Sequence, residues 1–350
     1  MLVLISAVLP VDFLPVFFGF PLVRIFESIF LILLISIEVF VNRWNNKYLN
    51  ILKLFCVIFF FIGLFDYESE FFSVKILILD TSVLAGLVWG LRYKLILRNK
   101  FILNVYRISY VSFIIGSIGL YSGFLVSTIE VRDVLLPMFI SSFIFLTVGQ
   151  YLLTIKSINK KYYYFGILLV LLYAIMSATR NLILLIGLLG LLNLKLNIKY
   201  ILLSVLIYFG LSISADSLIF NRFSSIDFEN ESRFIELLTL FKDFNSYLFG
   251  VGLGHGGYKP TLSASINDIL VPYAHISIAS LYYKTGIALI LIFLITLFKS
   301  FFVKISFNNS FRIMLILTLF QMSVSGGYSL MYFFILGIAI NAIWREKNYQ

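Results

Sequence analysis

The chain has 350 residues, 61% of them hydrophobic, with a mean hydropathy of +1.02 and a formal net charge of +10. No soluble domain of this length hides that much apolar surface, so composition excludes one and points to a chain that passes repeatedly through lipid. A single cysteine, Cys56, and two histidines exclude a disulfide framework, a cysteine-based metal site and a histidine-rich one.

The apolar runs are apolar on every side, which fits helices; a spanning strand would alternate apolar and polar residues. The fold class expected is an all-α polytopic membrane protein. Twelve spans fall near 1–19, 22–41, 51–65, 74–91, 101–121, 134–155, 162–178, 180–194, 199–214, 275–298, 311–325 and 328–344. The first, interrupted by Pro10 and Pro15, lacks the basic region and cleavage site of a signal peptide and is read as a retained span. No internal repeat or linker divides the chain, so 1–350 is expected to be one membrane unit.

The connections alternate in charge. One set carries 17 of the 27 basic residues, in clusters such as Arg92, Lys94, Arg98, Lys100 and Lys156, Lys160, Lys161. The other carries Asp66, Glu68, Glu70, then Glu130 and Asp133, then the acidic residues of one long loop. Lys and Arg mark the cytoplasmic side, so the net charge is a topology signal and not a nucleic-acid surface. Both termini are then cytoplasmic, and residues 215–274 form a large external loop, in agreement with an even helix count. That loop holds four basic and seven acidic residues, a net of −3. An anion bound there would need individually placed arginines. Within it, Phe234, Leu237, Leu238 and Phe241 recur at helical spacing, which predicts a short amphipathic helix over 232–244.

The polar residues with chemical potential gather near this loop. Gly252, Gly254 and Gly257 spell GxGxxG, but no strand–helix context surrounds them and nucleotide binding is not expected. Gly250, Gly252 and Gly254 are better read as loop scaffold, giving a tight turn or a close backbone approach. His255, among these glycines, is expected to be solvated or a turn residue. His275 stands where a span re-enters the membrane; it is either a snorkelling or capping group, or the general base for chemistry on a hydroxyl. Arg180, at the outer end of a span, either snorkels to the interface or clamps phosphate oxygens with its planar guanidinium. Arg24 and Glu27 lie one turn apart and are placed to pair with each other. Asp80 and Arg107 are further charges inside apolar runs, each a site candidate on the grounds of its cost there.

Four segments in order, SATR (177–180), RF…SRFIELL (222–238), LFGVGLG (248–254) and AHISIASLYYKTG (274–286), resemble the bacterial O-antigen polymerase and O-antigen ligase superfamily (Wzy-type and WaaL-type). The resemblance covers roughly residues 175–290, with hydropathy agreeing over the rest. Two positions depart from that pattern: the family's His–Asn is here His275–Ile276, and the acidic residue before Thr–Gly is Lys284. The departures suggest divergence or a different acceptor sugar.

The resemblance implies a GT-C-like membrane glycosyltransferase with its site facing the periplasm or cell exterior, in the bacterial cytoplasmic (inner) membrane. The implied donor is an undecaprenyl-diphosphate-linked oligosaccharide, with no nucleotide sugar, no cofactor and no metal. The implied catalytic residues are His275, as base toward the acceptor hydroxyl, and Arg233. Arg180, Arg222 and Arg24 are the implied diphosphate ligands. Membrane lipids and a chain-length regulator protein are the further implied partners, and the loop would act as a lid with His275 at its hinge. A repeat-unit polymerase making O-antigen or capsular polysaccharide is the first expectation. Its rivals are a ligase moving the glycan onto lipid A core or protein, and a flippase or transporter of lipid-linked oligosaccharide.

Overall fold

Backbone polar groups in so apolar a chain must be satisfied within the chain, and helices do this locally. The computed structural model is accordingly mostly helical. It describes residues 16–17, 20–21, 73–92, 103–111, 113–114, 131–154, 156–176, 180–193, 248–255, 277–302, 310–324 and 330–349, with isolated positions between 33 and 62. A two-residue ladder, β1 (Val16–Phe17) against β2 (Phe20–Pro21), is antiparallel, with Val16 opposite Pro21. It falls where the first two spans were expected to meet.

The helices described end to end are α1 (Val74–Arg92), α2 (Val131–Thr154), α3 (Lys160–Met176), α4 (Arg180–Asn193), α5 (Ser277–Phe301), α6 (Ser310–Val324) and α7 (Leu330–Tyr349). Each lies close to an expected span, and residues 103–111 are helical within another. The spans near 22–41 and 199–214 and the amphipathic helix at 232–244 lie outside the described residues, one position of the first excepted.

Among the described residues no single helix is long and apolar enough to cross a membrane. The two arms of α5, Ala279–Ile287 and Leu289–Phe298, meet that test only together, and they are bent by 118°. The span expected near 275–298 is therefore a broken helix over its described residues.

The polar side chains inside these helices explain how apolar segments accommodate them. Thr81, Ser109, Thr147, Thr285, Thr296, Thr318 and Ser323 each donate to the carbonyl one turn back, at 2.5–2.8 Å. Such hydroxyls need no outside partner.

Packing centres on α7. From Leu330 to Ile343 every residue is buried, so this helix has no outward face over that length. Its closest neighbour is α1. Gly86 and Gly90, four apart on α1, face the carbonyls of Leu330 and Phe334 and the backbone of Gly337. Small residues at that spacing let two helix backbones touch. Trp89 and Phe334 then stack beside the contact with ring centroids 4.6 Å apart.

A second aromatic cluster joins α2, α3 and the helical stretch 103–111. Tyr106, Tyr110 and Tyr163 surround the ring of Phe145, at centroid distances of 5.0–5.7 Å. The Tyr163 hydroxyl donates to the Leu146 carbonyl at 3.0 Å, so its polar end is satisfied in the core. The α2–α3 turn is tight. Ser157 N–H bonds Leu152 O and Lys156 N–H bonds Leu153 O, a Schellman-type ending with Lys156 at φ 55°, and Asn159 caps α3 through its side chain. In contrast with α7, α3 exposes Tyr162, Tyr164, Phe165, Leu168 and Leu172, which marks it as peripheral.

Candidate functional site

The break in α5 is where backbone chemistry and charge meet. Gly286 has φ 65° and ψ −166°, a combination open essentially to glycine alone. An unbroken helix would bond Ile287 N–H to Tyr283 O and occupy Lys284 O one residue later. The break frees these groups, and residues 248–252 take them up. Val251 N–H donates to Tyr283 O at 3.0 Å, Gly252 N–H to Lys284 O at 2.9 Å, and Ile287 N–H to Leu248 O at 2.9 Å. A strip of loop thus completes the interrupted helix.

Glycine makes that approach possible. A Cβ on Gly250 would stand 2.5 Å from Gly286 N and 2.6 Å from Lys284 O. Gly250, Gly252, Gly254 and Gly286 all have positive φ, so the strip and the break use the same conformational freedom on both sides. The close backbone approach read from these glycines is made to the chain's own helix.

The strip continues into the charged part of the site. Gly254 O accepts from Ser73 N–H at 2.9 Å, and Gly254 N–H donates to Asp80 Oδ2 at 2.8 Å, so both of its backbone groups are held by α1 and the residue before it. Lys284 Nζ lies 2.6 Å from the same Oδ2 and 3.1 Å from His255 O. Asp80 and Lys284 are both fully buried. Asp80 Oδ1 has no hydrogen-bond partner among the described residues. The contacts of Oδ2 are charge-assisted, and they offset the several kcal/mol that burying each ion costs, roughly, in a protein interior.

The arrangement has a polarity. A backbone N–H faces the carboxylate and a backbone carbonyl faces the ammonium, so the acid belongs on α1 and the base on α5. His255 is 4% exposed, which corrects the expectation of a solvated histidine. Its carbonyl is part of the site, and Gly252, Leu253 and Gly254 are buried with it. This portion of the expected external loop is core.

Of the other residues singled out from the sequence, Arg107 is described and exposed. Arg180 opens α4. The structure brings Gly250, Gly252, Gly254, His255 and Asp80 together, while Arg24, Arg222, Arg233 and His275 lie outside the described residues. Sequence reading passed over Lys284 as a departure from a motif and noted Gly286 only as the end of that motif. A usable signal was present: a lone acid and a lone base in two separate apolar runs are each other's natural partners. Among the described residues no group of three His, Cys, Asp or Glu side chains could hold a metal.

Comparison with family models, with curated proteins and with solved structures returned no match to this chain.

Proposed function

We propose that the chain is a twelve-span membrane glycosyltransferase that polymerises lipid-diphosphate-linked oligosaccharide repeat units on the outer side of the bacterial cytoplasmic membrane. The observation that carries the reading is the pairing of two motif segments. LFGVGLG and the YYKTG end of AHISIASLYYKTG, separate in sequence, lie backbone to backbone at the break in α5. Two segments whose order and spacing suggested the family are thus parts of one structural feature.

Further support comes from the peripheral helices. The exposed Phe165, Leu168 and Leu172 on α3, with Leu291, Leu294 and Phe298 on the second arm of α5, suit a lipid surround better than water. Hydroxyls bonded back to their own helices suit it equally.

In this reading the acceptor hydroxyl attacks the anomeric carbon of the donor sugar as the bond to the diphosphate oxygen breaks, inverting the carbon. His275 takes the hydroxyl proton, and the lipid diphosphate leaves with the bonding electron pair. Arg180, Arg222, Arg233 and Arg24 are the groups available to neutralise the charge that builds on it, each charge-assisted bond contributing about 1.5–3 kcal/mol. The test is purified protein in vesicles supplied only with the lipid-linked repeat unit. A ladder of products supports polymerisation. His275→Ala and Arg233→Ala should insert normally and lose the ladder, and a normal ladder in both would remove the mechanism. No elongation by the unaltered protein, with transfer only to a separate acceptor, would favour a ligase.

One observation favours a second reading. A helix broken at a buried ion pair is also how transporters build a binding site, from the ends of discontinuous helices. A lipid-linked oligosaccharide flippase would move the repeat unit across the vesicle membrane and leave its length unchanged, so the same vesicles separate the two.

A further inference from the structure

We propose that Asp80 and Lys284 form a positioning device that seats the 248–255 strip on the broken helix and thereby sets the direction of the arm that continues from His275. For its effect on turnover the proposal rests on the transferase reading; for the seating itself it does not.

The bonds around the break divide into two kinds. Those from residues 248, 251 and 252 are backbone bonds to α5 and fix the strip along that helix alone. The contacts at Gly254 tie the strip to α1 as well, through Asp80 and the residue before α1, Ser73. Lys284 closes the triangle, since its ammonium reaches the Asp80 carboxylate on α1 and the His255 carbonyl on the strip from a position two residues before the break. Three elements therefore share one buried charge pair. A helix freed at a glycine can swing, because its two arms are no longer joined by the regular bond ladder. Here the swing is opposed by contacts that lie on the first arm's side of the break, next to its last turn.

An apolar filling would not do the same. It would occupy volume without direction, whereas the carboxylate must face the Gly254 N–H and the ammonium the His255 carbonyl. Removing one charge strands the other in the core; removing both relieves that penalty and leaves the strip seated by fewer directional contacts.

The experiment places a cysteine pair at Leu248 and Ile287, joined in the structure by the Ile287 N–H bond to the Leu248 carbonyl, in a Cys56→Ser background. Disulfide yield in membranes reads the seating and requires no substrate. Asp80→Asn, Lys284→Met and the double variant are compared with the parent, and turnover is measured per folded protein with kcat and KM separated. Each single variant is expected to lower folded yield, and the double to restore it. In the folded double variant disulfide yield should remain about fivefold or more below the parent, an effect on the order of 1 kcal/mol, with kcat reduced and KM little changed. A double variant that matches the parent in both disulfide yield and kcat would make the pair merely structural and overturn the proposal, as would single variants that fold and crosslink normally. If the unaltered protein makes no polymer, the transferase reading and the effect on turnover fall together, and disulfide yield still decides the seating.

Discussion

Helix α1 makes two junctions of opposite design. Against α7 it presents Gly86 and Gly90, and contact is made by having no side chains at all. Against α5 and the 248–255 strip it presents Asp80, and contact is made by charge. The first junction is sensitive to an added atom. The second is sensitive to the loss of one charge without the other. A glycine seam specifies distance between helices and little else, while a buried ion pair between backbone donors and acceptors specifies which group stands where.

The largest effect is expected where charge is stranded. Asp80→Ala leaves the Lys284 ammonium buried with its carboxylate gone, and should destabilise the folded protein in detergent by about 3–5 kcal/mol. A smaller cost than Gly90→Ala would reverse the ranking of the two junctions. Gly90→Ala is next. Alanine gains about 1 kcal/mol in helix propensity, but its Cβ would overlap the Phe334 carbonyl and stand 3.0 Å from Gly337 Cα. Backbone atoms cannot step aside, so a net loss of about 1–3 kcal/mol is expected in a thermal unfolding series. Gly286→Ala should cost a similar ~1–3 kcal/mol, since the break demands a glycine conformation and its Cβ would meet the Leu248–Gly250 backbone. Gly187→Ala is the control. Nothing lies within 4 Å of its would-be Cβ, so propensity acts alone and stability should rise by up to about 1 kcal/mol. If Gly90→Ala and Gly187→Ala behaved alike, the close α1–α7 seam would be disproved. Thr285→Val, which removes only a bond within its own helix, should change stability least, by about 1 kcal/mol or less.

Hydropathy alone located α1, α2, α3, α4, α6 and α7 to within a few residues, because a long apolar run has few other ways to satisfy its backbone. The bend in α5 escaped it. Gly286 and the apolar residues after it read as one continuous span, and what stabilises the break, the 248–252 strip, is remote in sequence. The glycines at 250–254 were legible as a turn or a close approach, but not what they approach. His255 was misread because neighbouring glycines suggested exposure, while it is buried and its carbonyl accepts from Lys284 of α5, a contact that local sequence does not register. Asp80 was picked out by its cost in an apolar run. Lys284 was seen only as a mismatch to a motif, although the same cost applied to it and the two answered each other.

The order in which the chain is made gives the ion pair a history. Asp80 precedes Lys284 by 204 residues, and the 248–255 strip lies between them. During synthesis the acid therefore waits, and the glycine strip is available before the helix it completes. When Lys284 arrives, its counter-charge and the donors for its broken helix already exist. A chain halted before residue 248 would hold Asp80 with neither the Gly254 N–H nor the Lys284 ammonium that it meets in the finished fold.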